Sequence, residues 1–158
     1  MKPILYIMCG VPGSGKTTFA NEFLQKHTYV SRDAIRFIML KEGEDYFSHE
    51  KEVFSTFANT IAGKLQNGEN VVADATHIDM TSRKKLTYAI DQIFSDYNIV
   101  YIVFDVSLET CLKHNAMREG QTCVPEDVIN KMYNKFRCPR NDEDMRRIGT
   151  IRIEGNVI

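Results

Sequence analysis

Apolar positions in this chain follow two different periods. The runs over 4–9 ("ILYIMC") and 98–105 ("NIVYIVFD") are short, nearly continuous and rich in β-branched residues, as expected of central strands covered on both faces. Weaker runs over 28–31, 70–74 and 150–153 bring the expected strands to five. Between them, helical spacing predicts helices over 16–26, 32–41, 49–66, 81–95, 108–117 and 125–136. In the longest of these, Phe54, Phe57, Ala58, Ile61 and Leu65 recur at spacings of three and four and form one core-facing stripe, with Gly68 as the stop. Pro125, followed by Glu126 and Asp127, suits the start of the last helix. Strands alternating with helices in the order β-α-β-α-α-β-α-β-α-α-β imply an α/β three-layer sandwich around a five-stranded parallel sheet. Functional residues are then expected just beyond the carboxyl ends of the strands.

At 158 residues the chain is expected to form one domain, spanning 1–158. Lys and Arg number 20 against 21 Asp and Glu, which argues against a broad basic face for duplex nucleic acid and leaves room only for local phosphate contacts. Cys9, Cys111, Cys123 and Cys138 form no C-x-x-C pair, so neither a zinc site nor a redox motif is expected. The N-terminal run "PILYIMC" is too short to span a membrane and lacks a cleavage site; it reads as a strand of a cytoplasmic protein without membrane contact.

The chemistry begins where the first strand ends. Gly10-x-x-x-x-Gly15-Lys16-Thr17 fits the P-loop pattern in full and lies between an expected strand and an expected helix. Its backbone N–H groups, from Gly13, Ser14, Gly15, Lys16, Thr17 and Thr18, would cradle the phosphates of a nucleotide at a helix N-terminus. Lys16 would neutralise β/γ charge, and the Thr17 hydroxyl would ligate Mg²⁺. The Asn-Lys pairs in "NKMY" and "NKFR" lack the Asp of the guanine-binding N-K-x-D motif, so ATP is expected rather than GTP. A second stretch, "SRDAIR", puts Asp33 three residues before Arg36 at a strand-to-helix junction, which on residues alone is as much a surface ion pair as a catalytic one. Asp74 and Asp105 each end an expected strand and compete for the metal-side carboxylate.

Taken in order, "GVPGSGKTT", "SRDAIR", "VVADATHIDMTSRKKL" and "HNAMREGQTCVPEDVINKMYNKF" resemble the kinase domain of phage-type polynucleotide 5′-hydroxyl kinases, within the wider group of zeta-toxin-like and small ATP-dependent kinases. The resemblance runs over about residues 4–136. It implies that Asp33 is the general base for the acceptor hydroxyl and that Arg36 holds the phosphate beside it, which suits a carboxylate and a bidentate guanidinium. It favours Asp74 over Asp105, either as holder of a Mg²⁺-bound water or as a partner that orients Arg36. Thr76 is implied as a lining residue of the acceptor cleft; Arg83 is a weaker candidate, since "RKK" reads equally as a solvated helix face.

Residues 115–127 match a helical lid whose Arg118 reaches the transferring phosphoryl group. His114 departs from the family, which commonly has a second arginine there, so lid chemistry would rest on Arg118 or the acceptor would differ. No D-x-D-G-[TV] phosphatase signature follows, and a bifunctional end-healing enzyme is not expected. Arg137 or Arg140, in the F-x-x-P segment, would cap the adenine or form a solvated basic turn. The implied reaction is ATP- and Mg²⁺-dependent transfer of a phosphoryl group to an alcohol, with a polynucleotide 5′-hydroxyl as the favoured acceptor. The alternatives are a small-molecule alcohol (nucleoside, sugar nucleotide or antibiotic) and a non-catalytic ATP-binding module.

Overall fold

The computed structural model describes residues 1–155, apart from the side chains of Phe23 and Gln121; the last three residues of the expected 1–158 domain lie outside it. Five strands form one parallel sheet in the order β2-β3-β1-β4-β5. They are β1 (Ile4–Cys9), β2 (Thr28–Ser31), β3 (Val71–Asp74), β4 (Asn98–Val106) and β5 (Arg147–Gly155). The helices are α1 (Lys16–Phe23), α2 (Arg32–Met39), α3 (Glu50–Gln66), α4 (Met80–Asp91), α5 (Leu108–Ala116) and α6 (Glu126–Lys135), with a 3₁₀ turn at Gly120–Thr122. The expected element order holds throughout.

The period-2 geometry of β1 divides the core in two. Leu5, Ile7 and Cys9 pack with Phe57, Ile61 and Leu65 of α3 and Leu86 and Ile90 of α4. Met8 packs on the other face with Ala20 of α1, Cys111 of α5 and Ile129 of α6. Both faces of the sheet are thus covered, the arrangement that continuous apolar strands anticipate. On α3 the buried stripe is Val53, Phe57, Ala58, Ile61, Ala62 and Leu65. Phe54 sits at its margin, where Arg32 and Lys85 lie over its ring at 5.4 and 4.5 Å. Gly68 ends α3 as expected: at φ 83° it donates to the Leu65 carbonyl (2.9 Å), and Glu69 N–H reaches back to Lys64 (3.1 Å), a Schellman closure.

Three helices are shorter than their periodicity predicts. α1 stops at Phe23 because the chain must turn at Leu24 to begin β2, and His27 N–H closes that turn on Leu24 (3.0 Å). Leu40 is already extended, which ends α2, and Ile93 and Phe94 both bond back to Ile90 (2.9 Å each) past the end of α4. β5 is longer than its expected core of 150–153 because an edge strand needs backbone pairing more than apolar side chains; most of its residues are half-exposed or exposed.

Candidate active site

All strands run the same way, so β1, β2 and β3 deliver their ends to one edge of the sheet. There a cleft of about 970 Å³ opens, lined by Lys16, Thr17, Thr18, Asp33, Arg36, Asp74, Thr76 and Arg118 among others. The four separated motifs of the sequence therefore meet in one space.

The P-loop follows β1 and becomes α1. Gly13 and Gly15 have φ of 83° and 94°, values that L side chains rarely adopt, and a Cβ on Gly13 would stand 2.3 Å from the Cys111 carbonyl oxygen. The loop is pinned from two sides. Gly10 N–H donates to the Thr76 carbonyl (2.9 Å), and His114 Nδ1 lies 2.9 Å from the Gly13 carbonyl oxygen, a contact that needs the proton on Nδ1. His114 is thus turned onto the loop backbone, which accounts for its departure from a phosphate-binding arginine. Lys16 Nζ donates to the carbonyls of Gly10 (2.8 Å) and Val11 (3.1 Å), and burial lowers its pKa against the opposing pull of Asp74. Ser14 Oγ is buried without a partner among the described residues. A glycine-shaped backbone cradle with an orphaned hydroxyl and a lysine parked on its own loop fits the phosphates of a nucleotide.

Asp74 ends β3 beside Thr17. Its Oδ2 lies 3.5 Å from Thr17 Oγ1 and accepts a hydrogen bond from the Tyr29 hydroxyl on neighbouring β2. Burial and the Asp74 charge raise the Tyr29 pKa, so the phenol stays a donor. A hydroxyl and a carboxylate side by side form a hard-oxygen pair that suits Mg²⁺, which keeps most of its shell as water and phosphate. No cluster of three His, Cys, Asp or Glu able to hold a metal occurs among the described residues. Asp74 points to Thr17 and Tyr29 and makes no hydrogen bond to Arg36. Asp105 is excluded from the site: it is exposed, is absent from the cleft lining, and lies 3.6 Å from Arg152 of β5.

On the opposite wall Ser31 caps α2, its hydroxyl accepting from Ala34 N–H (3.1 Å), and so fixes Asp33 and Arg36 in the first turns. Asp33 is half-exposed toward the cleft, whereas Arg36 is only 5% exposed. The pair does bond, but as part of a larger cluster that no motif announced. Arg36 Nη1 donates to Asp33 and to the Tyr46 hydroxyl (2.7 Å), and its Nη2 meets both Glu50 oxygens at 2.9 Å. Tyr46 also donates to Asp33 (2.5 Å), its ring lies 4.3 Å from the Arg36 guanidinium carbon, and Arg32 donates to Glu50 as well. Glu50 is recognisable in sequence only as an acidic first-turn residue of α3, and Tyr46 as one of several aromatics in the 40–49 connection.

Arg118 follows α5 and lines the cleft; among the described residues it has no ion-pair partner. Its loop is closed at the base by Asn115, which is buried, donates to the Val124 carbonyl (2.6 Å) and accepts from Val124 N–H (2.9 Å). One expectation is corrected. Arg83 is neither a cleft residue nor a solvated one: it is 1% exposed, forked onto Glu143 (2.8 Å twice) and bonded to the His77 carbonyl (2.8 Å). Arg137 and Arg140 are exposed, in keeping with the solvated-turn alternative; they line a separate cavity of about 400 Å³ near Asp79 and Cys138, and the first bonds the Asn134 and Phe136 carbonyls and the second Asp142.

Fold and cradle together define the P-loop kinase class. Residues 5–139 match the AAA domain family, and the chain belongs to it. It is similar to a protein of Autographa californica nuclear polyhedrosis virus named as a bifunctional polynucleotide kinase/RNA ligase, 27% identical over 88% of this chain and 22% of that one. It is also similar to the L-seryl-tRNA(Sec) kinase of Methanococcus maripaludis, 29% identical over 86% of this chain and 53% of the relative. The chain thus spans about a fifth and about half of these relatives. A chain of the Pnkp1/Rnl/Hen1 RNA repair complex superposes with a TM-score of 0.72 at 26% identity, covering 85% of this chain and 44% of that one. No helix among the described residues is long and apolar enough to cross a membrane.

Proposed function

We propose that the chain transfers the γ-phosphoryl group of ATP, with Mg²⁺, to an alcohol, and that the acceptor is the 5′-hydroxyl of a polynucleotide end. The observation that carries this reading is the shared cleft, with Lys16 and Thr17 on one wall, Asp33 and Arg36 on the other, and Arg118 opening into the same space. The polymer acceptor draws support from the relative named as a polynucleotide kinase. In this reading the chain acts as one kinase domain with residues 115–127 as its lid. Gly13 to Thr18 hold the ATP phosphates, and Lys16 exchanges its loop carbonyls for phosphate oxygens. Thr17 and Asp74 hold Mg²⁺, which supplies charge neutralisation at the transferring group. Asp33 accepts the hydroxyl proton while Tyr46 fixes its orientation, and Arg36 seats the phosphate next to that hydroxyl. Arg118 stabilises the charge that develops as the phosphoryl group moves.

A small-molecule alcohol is the second reading. It is favoured by the apolar part of the acceptor wall, where Phe37, Leu40 and Phe47 stand beside Tyr46, and by the neutralisation of Arg36 by Glu50. Transfer of label from γ-labelled ATP to a 5′-hydroxyl oligonucleotide, against a panel of nucleosides and sugar nucleotides, separates the two. Asp33→Asn is expected to slow transfer by at least about 10²-fold with nucleotide binding retained. Label confined to small molecules would replace the polymer acceptor, and ATP binding without transfer to any acceptor would leave a nucleotide-binding module.

A further inference from the structure

Both terminal nitrogens of Arg36 are committed to protein acceptors, Nη1 to Asp33 and Tyr46 and Nη2 to both oxygens of Glu50. Only Nε, buried and without a partner among the described residues, is left. A guanidinium in this state cannot grip a phosphate in the bidentate manner until one of its carboxylates departs. Glu50 is the one that can leave. It is a third exposed, it stands at the start of α3 on the cleft wall, and its Oε1 also takes a hydrogen bond from Arg32. Asp33 is the more exposed of the two and is tied by Tyr46, but as the proposed base it must stay in place, which leaves Glu50 as the carboxylate to be displaced. Glu50 therefore presents a carboxylate to two guanidiniums in the geometry that an acceptor phosphate would use.

We propose that Glu50 is a specificity-determining residue of the acceptor site: its carboxylate occupies the anion seat of Arg36 and Arg32, and an acceptor that carries a phosphate beside its hydroxyl must displace it. The inference rests on the kinase reading above for the identity of the acceptor. It has a direct consequence. The seat is neutral at rest, so a phosphate gains only the difference between its own contacts and those of Glu50, and unphosphorylated alcohols compete better than they would at a bare arginine pair.

The test compares a nucleoside 3′-monophosphate with the same nucleoside, with the P-loop saturated by a non-hydrolysable ATP analogue, in calorimetric titrations of wild type and Glu50→Gln. The variant keeps the shape and a hydrogen-bond acceptor but loses the charge. It is expected to bind the monophosphate about tenfold more tightly than wild type does, the scale of one charge-assisted hydrogen bond, and to widen its advantage over the nucleoside by the same factor. Glu50→Asp, shorter but still charged, is expected to keep the wild-type penalty. An unchanged or narrowed advantage in Glu50→Gln, or an equal gain in Glu50→Asp, would overturn the proposal and leave Glu50 as a residue that merely orients Arg36. Because the titration needs no turnover, absence of transfer to every acceptor would sink the kinase reading while this comparison still decided the role of Glu50.

Discussion

His77 has φ of 42°, the one positive value among the described non-glycine residues. Its ring stacks against Phe57 at 6.1 Å, and Nδ1 lies 2.6 Å from the Met8 carbonyl oxygen, which requires the proton on Nδ1 and leaves Nε2 buried without a partner among the described residues. A second proton would create a buried cation with nothing to accept from it. Burial lowers the pKa from 6.5 to about 3, with the Met8 carbonyl opposing and Arg32, Lys16 and Arg83 adding to the fall. The unfolded chain thus binds this proton at a higher pH than the folded one. No stability is lost above 6.5, and stability falls as the pH drops toward 3. At pH 5 the loss from this group is roughly 2 kcal/mol. His77→Asn tolerates the left-handed backbone and removes the titration. Between pH 7.5 and 5 the wild-type melting temperature is therefore expected to fall further than that of the variant; equal falls would show that His77 does not govern the acid limb. The residue matters to the site because it fixes the turn whose Thr76 carbonyl holds Gly10.

At the scale of elements, α4 is fastened to the connection before β5 by Arg83 and Glu143, both side chains 1% exposed. Removing one partner leaves a buried charge, so Arg83→Met is expected to cost about 3–5 kcal/mol in chemical denaturation, and the double change to Arg83→Met with Glu143→Leu to recover most of it. A double variant no more stable than the single one would show that the fork carries more than its mutual neutralisation. The same helix shows where the sequence is legible and where it is not. Arg83, Leu86, Thr87 and Ile90 recur at one-face spacing and all are buried, so the signal for an inward Arg83 was present, masked by the lysines that follow it. The P-loop is legible because it is a local pattern whose spacing already sets its geometry, whereas Asp33 and Arg36, on residues alone as much a surface ion pair, are singled out only by the resemblance. Tyr29, Tyr46 and Glu50 could not be read. Their partners lie 45, 13 and 14 positions away in sequence, and only the docking of β2 on β3 and of α3 on α2 brings them together. The short ends of α1, α2 and α4 were illegible for a related reason: a helical period persists in the residues after the chain has turned to reach its next strand.

Across the whole molecule, the near-neutral net charge of -1 recurs inside the cleft, where Lys16, Arg32, Arg36 and Arg118 face Asp33, Glu44, Glu50 and Asp74. In the proposed reading Lys16 serves the nucleotide and Arg118 the transferring group. That leaves Arg32 and Arg36, which share one seat, for an acceptor strand, and so about one phosphate contact. For single strands each contact lowers log K by about 0.7 per unit of log salt, which gives a slope near -0.7 for the acceptor kcat/KM at saturating ATP. Between 50 and 200 mM KCl, transfer to a 5′-hydroxyl oligonucleotide is then expected to weaken roughly two- to threefold, and transfer to an unphosphorylated nucleoside hardly at all. A slope of about -4 or steeper would require a basic track outside the cleft, which the charge balance does not offer. A flat response with the oligonucleotide would mean that no phosphate of the strand is held, and would turn the assignment toward a neutral small-molecule alcohol. In the proposed reading, substrate selection hangs on a charge-balanced pocket at the end of the sheet, and salt reads that balance directly.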